Sequence, residues 1–209
     1  YLTHASGHLG LANAKAMEIL GIDGQTADPD GGEIFKGFDG QPTGIFNETA
    51  HTNARTRIPK PSAQWLETSL KQAIDHILAN GVTSFHEAGS GASSIALYHK
   101  LLSRDELKIR LYVMLSGDDQ ELLADYFAKG IFMDSLHRLT IRSVKLYADG
   151  ALGSRGAWLL KAYSDAPGKF GHNVRDMEAL DKLTLAATQA GFQVCTHAIG
   201  DRGNREVLD

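Results

Sequence analysis

Apolar positions recur at helical spacing in residues 9–20, where Leu11, Ala14, Met17, Ile19 and Leu20 share a face and Gly21 is placed to end the helix. The pattern then changes. Residues 33–38 and 43–46 read as short strands around Asp39-Gly40-Gln41-Pro42, a turn signal with glycine where positive φ is needed. Arg57-Ile58-Pro59-Lys60-Pro61 forms a stiff boundary, since two prolines disfavour helix on both sides. Residues 1–58 therefore read as a helix-and-hairpin segment, separate from residues 59–209.

Beyond the boundary the pattern becomes regular. Ser62 is placed to cap a helix over 62–80, with Leu66, Leu70, Ala73, Ile74, Ile77 and Leu78 on one face and Gly81 at its end. A strand follows over 82–86, then a helix over 92–102, a strand over 109–115 and a helix over 120–129. A longer strand covers 139–147, a helix 177–190 ends at Gly191, and a strand covers 192–196. Strands alternating with helices predict βαβ units and a parallel sheet, hence an α/β fold. A closed (β/α)₈ barrel of the TIM type usually takes about 250 residues and eight strands, so residues 59–209 supply about half of one. Periodicity alone leaves a partial barrel and an open doubly wound sheet equally placed. A partial barrel exposes strand edges and inward side chains, which favours association into a homo-oligomer.

Composition narrows the partners. Of 209 residues 43% are hydrophobic and 22% charged, which suits a globular domain, and the net charge of -4 argues against nucleic acid or an anionic membrane. No apolar run approaches the roughly 18 residues that a membrane span needs. The single cysteine, Cys195, excludes an internal disulfide and a Cys-rich zinc cage, and fits a reducing, cytoplasmic setting. The chain opens at Tyr1 and closes within Arg205-Glu206-Val207-Leu208-Asp209, which reads as an interrupted helix; an internal piece of a longer protein is the expectation.

Chemistry concentrates at two strand ends. In residues 141–150, alternation puts Val144, Leu146 and Ala148 on one face and Ser143, Lys145, Tyr147 and Asp149 on the other. Lys145 sits near the C-terminal end, where barrel enzymes carry their chemistry. An inward lysine is costly as a buried cation, so it is paired (Asp149 is the nearest acid in sequence), neutral or modified. In residues 192–197, Gln193, Cys195 and His197 share the inner face, and Ala198-Ile199-Gly200-Asp201 follows. Asp201 is placed to accept the second ring N–H of His197. Neutral imidazole is a zinc ligand, and a carbamate on lysine is an anionic oxygen ligand able to bridge two ions. A hydrogen-bonded rim histidine is the plainer reading of His197.

Five stretches carry a family resemblance. Gly81-Val82-Thr83-Ser84-Phe85-His86-Glu87-Ala88-Gly89 is similar to the Gly-Val-Thr-Ser-x-His-Asp-Ala-Gly segment of the YtcJ-like branch of the amidohydrolase superfamily, which includes N-substituted formamide deformylases. Residues 144–157, with Val144-Lys145-Leu146-Tyr147-Ala148-Asp149-Gly150 at their start, resemble its lysine strand and following loop. Tyr163-Ser164-Asp165-Ala166-Pro167-Gly168 and His197-Ala198-Ile199-Gly200-Asp201-Arg202 are further matches, and Ser6-Gly7-His8 through Asn13 resembles its inserted segment. The resemblance implies a (β/α)₈ barrel with a small β-domain, and one or two divalent ions, zinc by expectation, activating water against a small-molecule amide-type C–N bond. It implies that Lys145 is the carboxylated bridging ligand and His197 the next metal ligand. The family's His-x-His pair, its later histidine and its general-base aspartate have no counterpart here, so no catalytic residue is assigned. A metal-free, ligand-binding relative is the alternative. For substrate contact the candidates are Arg155, whose fork suits carbonyls and carboxylates unless a surface acid takes it, together with His86 at a strand end and His8 in the inserted segment.

Overall fold

The computed structural model describes residues 1–4, 7, 9–59, 61–153 and 155–209 (of residue 48 the backbone only), and divides into two units, Tyr1–Ser62 and Ala63–Asp209. The first unit contains β1 (Leu2–Thr3), β2 (Leu9–Leu11), α1 (Ala14–Leu20), β3 (Gly32–Lys36), β4 (Pro42–Glu48) and α2 (Thr49–Arg57). Its strands form one antiparallel sheet in the order β1-β2-β4-β3. The helix expected over 9–20 is corrected at its start. Residues 9–11 pair with β4, and α1 begins only after Asn13, whose side chain accepts the Ala16 N–H at 2.9 Å. The hairpin around residues 39–42 is present as β3 and β4. The helix α2 has no apolar stripe in sequence because what it buries is Ala50, His51 and Ala54. Ala50 joins Ala12, Ile34 and the fully buried Phe46 in the core of this unit.

The second unit contains α3 (Ala63–Ala79), β5 (Ser84–Ser90), α4 (Ala92–Ser103), β6 (Arg110–Ser116), α5 (Gln120–Lys129), β7 (Phe132–Met133), β8 (Leu139–Tyr147), α6 (Met177–Gln189), β9 (Gln193–His197) and α7 (Asp201–Leu208). The strand expected over 82–86 is displaced along the chain to 84–90. β5, β6, β8 and β9 run parallel in that order, whereas the two-residue β7 is antiparallel and pairs the lower end of β8, so the sheet is mixed. One face of the sheet carries the core. Leu111, Val113 and Leu115 of β6, with Leu139, Ile141, Val144 and Leu146 of β8, are buried with Ile95, Leu101, Leu123, Leu180 and Ala187 of the helices. Each such fully buried aliphatic side chain contributes about 1.5–3 kcal/mol of transfer free energy.

A bulge sets which way β8 points. Val113 pairs with Ile141 and the next residue, Met114, pairs with Ser143, so Arg142 is an extra residue in β8. Before it, Leu139 and Ile141 face the helices; after it, Val144, Leu146 and Ala148 do. Without that insertion, unbroken alternation from Ile141 would send Lys145 into the helix layer. β5 has its own irregularity at Gly89, whose φ of +105° a side chain would strain.

Candidate functional site

Lys145 and His197 lie on neighbouring parallel strands, and register decides their relation. Lys145 pairs with Cys195 and Tyr147 with His197. Both side chains therefore leave the face opposite the helix layer as diagonal neighbours, roughly 7–8 Å apart at the backbone. Lys145 is partly buried, and burial pushes its amine below the ordinary lysine range, with Cys195 acting in the opposite sense. Its Nζ lies 4.7 Å from the centroid of the Tyr147 ring, which in turn lies 5.4 Å from the imidazole of His197. Among the described residues Lys145 has no ion-pair partner.

Asp149 is engaged elsewhere, which removes it as the partner of that lysine. Its carboxylate is 1% exposed and accepts three backbone N–H groups. Oδ1 takes Ile199 at 2.9 Å, and Oδ2 takes Trp158 at 2.8 Å and Gly200 at 2.7 Å. One buried anion thus ties the loop after β8 to the turn after β9. The approach is close: a Cβ on Gly200 would fall 1.9 Å from the Trp158 carbonyl oxygen, so only glycine fits. Nε2 of His197 is 3.4 Å from the Gly150 carbonyl oxygen and 3.7 Å from Asp149 Oδ1. With Nε2–H directed at these acceptors, Nδ1 keeps the lone pair that an ion needs.

The other candidates from sequence are placed differently. Asp201 opens α7, and its Oδ1 accepts N–H groups of Leu160 at 2.8 Å and Arg202 at 2.9 Å; the carboxylate within 4 Å of the His197 ring is that of Asp149. His86 is the third residue of β5 rather than its last, stacked on Tyr112 with centroids 4.8 Å apart. Tyr112 lies four residues below Ser116, the β6 partner of Lys145, so His86 sits roughly 13 Å lower on the same face. Arg155 is exposed with φ at +56°, and its Nη2 meets Asp165 Oδ2 at 2.8 Å, the surface pair that sequence had left as its other reading. The pair lines a cavity of about 470 Å³ with Lys161, Tyr163 and Asp201. His8 lies outside the described residues.

A second cavity, of about 370 Å³, opens where β8 and β9 end, lined by Tyr147, Asp149, Gly150, His197, Asp118 and Arg175 among others. Neither Asp118 nor Arg175 was anticipated. Asp118 lies two residues beyond the end of β6, a position that flags strand-end chemistry, whereas Arg175 sits in an irregular stretch with no signal before α6.

The whole chain, residues 1–209, matches the amidohydrolase family profile Amidohydro_3. The chain belongs to the amidohydrolase family. It is 31% identical to Protein LONG AFTER FAR-RED 3 of Arabidopsis thaliana, over 100% of this chain and 37% of that protein. To the putative amidohydrolase YtcJ of Bacillus subtilis it is 29% identical, over 97% of this chain and 38% of the relative. Among solved structures it resembles an uncharacterized metal-dependent hydrolase from Pyrococcus horikoshii with a TM-score of 0.77 and 30% identity, covering 97% of this chain and 39% of that one. This amidohydrolase chain thus spans about two fifths of the length of these relatives.

Metal-dependent neighbours make the donor set of this chain the natural test. The imidazole of His197 and the amine of Lys145, which burial pushes below the ordinary lysine range, lie on one face and one diagonal apart and are donor types that a divalent ion accepts. Among the described residues no group of three or more His, Cys, Asp or Glu is placed to hold one. Two donors of suitable type do not by themselves complete the shell of such an ion. No described helix of this family member is long and apolar enough to cross a membrane.

Proposed function

We propose that this chain carries part of the metal site of a hydrolase acting on small-molecule substrates with amide-type C–N bonds. The observation that carries the reading is the shared face of Lys145 and His197 at the ends of adjacent parallel strands, beside a cavity. In this reading residues 59–209 are part of a (β/α)₈ barrel and residues 1–58 an insert. Lys145, as its carbamate, and His197 hold the ion or ions, zinc by preference for such donors. Bound there, a divalent ion supplies a water of near-neutral pKa and polarises the substrate carbonyl. The lysine contributes through its environment. Carbamate formation joins the neutral amine nitrogen to the carbon of CO₂ and releases one proton, and burial of Lys145 raises the neutral fraction that this needs. Asp149 and the Gly150 carbonyl orient the His197 ring.

A two-donor set binds metal poorly by itself, so the 209-residue chain alone is expected to lack turnover and stoichiometric metal. That incomplete set also favours a second reading, a metal-free ligand-binding relative. Metal analysis of a protein of the relatives' length separates the two. The hydrolase reading expects about one or two ions per chain, reduced at least tenfold in Lys145→Ala and His197→Ala, with a ¹³C-carbamate signal lost in the lysine variant. A Lys145→Ala protein with its full metal content rejects the bridging role, and a metal-free wild type selects the second reading.

A further inference from the structure

Tyr147 touches both candidate ligands. It is two residues beyond Lys145 on β8, so the two side chains leave the same face, and it is the direct partner of His197 on β9. The lysine Nζ lies over its ring, 4.7 Å from the centroid, and the imidazole centroid is 5.4 Å from it. The phenol hydroxyl is unused: among the described residues it makes no hydrogen bond. It borders the space that Gly89 leaves open in β5. A Cβ there would lie 3.9 Å from the hydroxyl oxygen and 3.7 Å from Lys145 Cγ, so the donor and the lysine stem face one gap.

An aromatic ring offers the forms of this lysine opposite surfaces. Its face carries negative potential and suits an ammonium, whereas its edge is positive and the phenol adds an O–H donor. Carbamate formation makes the bond from Nζ to the carbon of CO₂, releases one proton and leaves an anion, which the ring face repels. The carbamate oxygens extend roughly 2.3 Å beyond Nζ by amide-like bond lengths, enough to exchange the ring face for the hydroxyl. Two other side chains flank Lys145, Ser116 on β6 and Cys195 on β9. The Ser116 hydroxyl accepts the Asp118 N–H at 3.4 Å, and a thiol is a weak donor. We infer that Tyr147 is a positioning residue for Lys145: its hydroxyl donates to a carbamate oxygen, stabilising the modified lysine and fixing its direction beside His197. A hydrogen bond to an ionised acceptor is the stronger kind. The inference rests on the carbamate reading of Lys145.

The test is a titration with ¹³C-labelled bicarbonate on a protein of the relatives' length, the carbamate signal being read by NMR at fixed metal concentration. Tyr147→Phe keeps the ring against His197 and removes only the donor. Its half-saturating bicarbonate concentration is expected to rise about tenfold, with the full signal recovered at saturation, which a packing defect does not produce. Ser116→Ala is expected to stay within about twofold of wild type, as befits a hydroxyl outside the carbamate's bond. An unmoved half-saturation in Tyr147→Phe, a signal that excess bicarbonate fails to restore, or a shift confined to Ser116→Ala overturns the inference. A wild type with no carbamate at any bicarbonate concentration rejects the Lys145 reading itself, so the two failures are told apart.

Discussion

Asp149 shows how much one side chain can hold when its environment is built for it. Three N–H groups from two loops converge on a carboxylate with 1% exposure, and charge-assisted bonds of this kind are about twice as strong as neutral ones. Replacing it by alanine leaves three inward N–H groups without an acceptor. Asp149→Ala is therefore expected to lose about 3–5 kcal/mol, read by urea denaturation, and to release the turn carrying His197. A loss under 1 kcal/mol would remove Asp149 as the tie between the loops. Sequence offered Asp149 as a partner for Lys145 and Asp201 as the partner for His197. Both assignments followed proximity along the chain, whereas the contacts depend on the loop after β8 folding back over the strand end.

Between elements, α4 meets α5 and β7 through His99. Its Nε2 lies 3.1 Å from the Tyr126 hydroxyl and its ring packs edge-on to Phe132 at 4.6 Å. Burial holds its pKa below the ordinary histidine value of 6.5. The sign follows from proton counting. Between the lowered native value and 6.5 the unfolded chain binds the extra proton, so stability rises with pH across that window. Above it both states are neutral, and below it both are charged and the penalty is constant. Thermal unfolding followed downward from pH 7 is expected to show Tm falling, with the slope from this site absent in His99→Leu. An unchanged slope in that variant assigns the pH dependence elsewhere. The elements themselves were largely legible: α5 and β8 fall on their expected bounds, because apolar spacing reports a buried face directly. α2 was not, since alanines and a histidine make a buried face without an apolar stripe.

At the scale of the second unit, the sheet keeps helices on one side and leaves the other to solvent. Tyr147 on that side is 41% exposed, and β5 and β9 have unpaired edges among the described residues. Such edges and apolar side chains favour pairing with another chain. The isolated 209-residue chain is expected to sediment as a concentration-dependent oligomer. A monodisperse monomer across a hundredfold concentration range would show that this face needs no cover.

The amino-acid sequence by itself determined which segments bury an apolar face, the α/β alternation after residue 62, and the membership signalled by the lysine and histidine strands. These are local properties, written in spacing and short motifs. Only the tertiary structure showed the bulge at Arg142 that resets the alternation of β8 between Ile141 and Val144, because a bulge is defined by the partner strand. It also decided that Asp149 and Arg175 frame the cavity, since loops carry no periodicity and their neighbours are chosen by packing and by unsatisfied backbone groups.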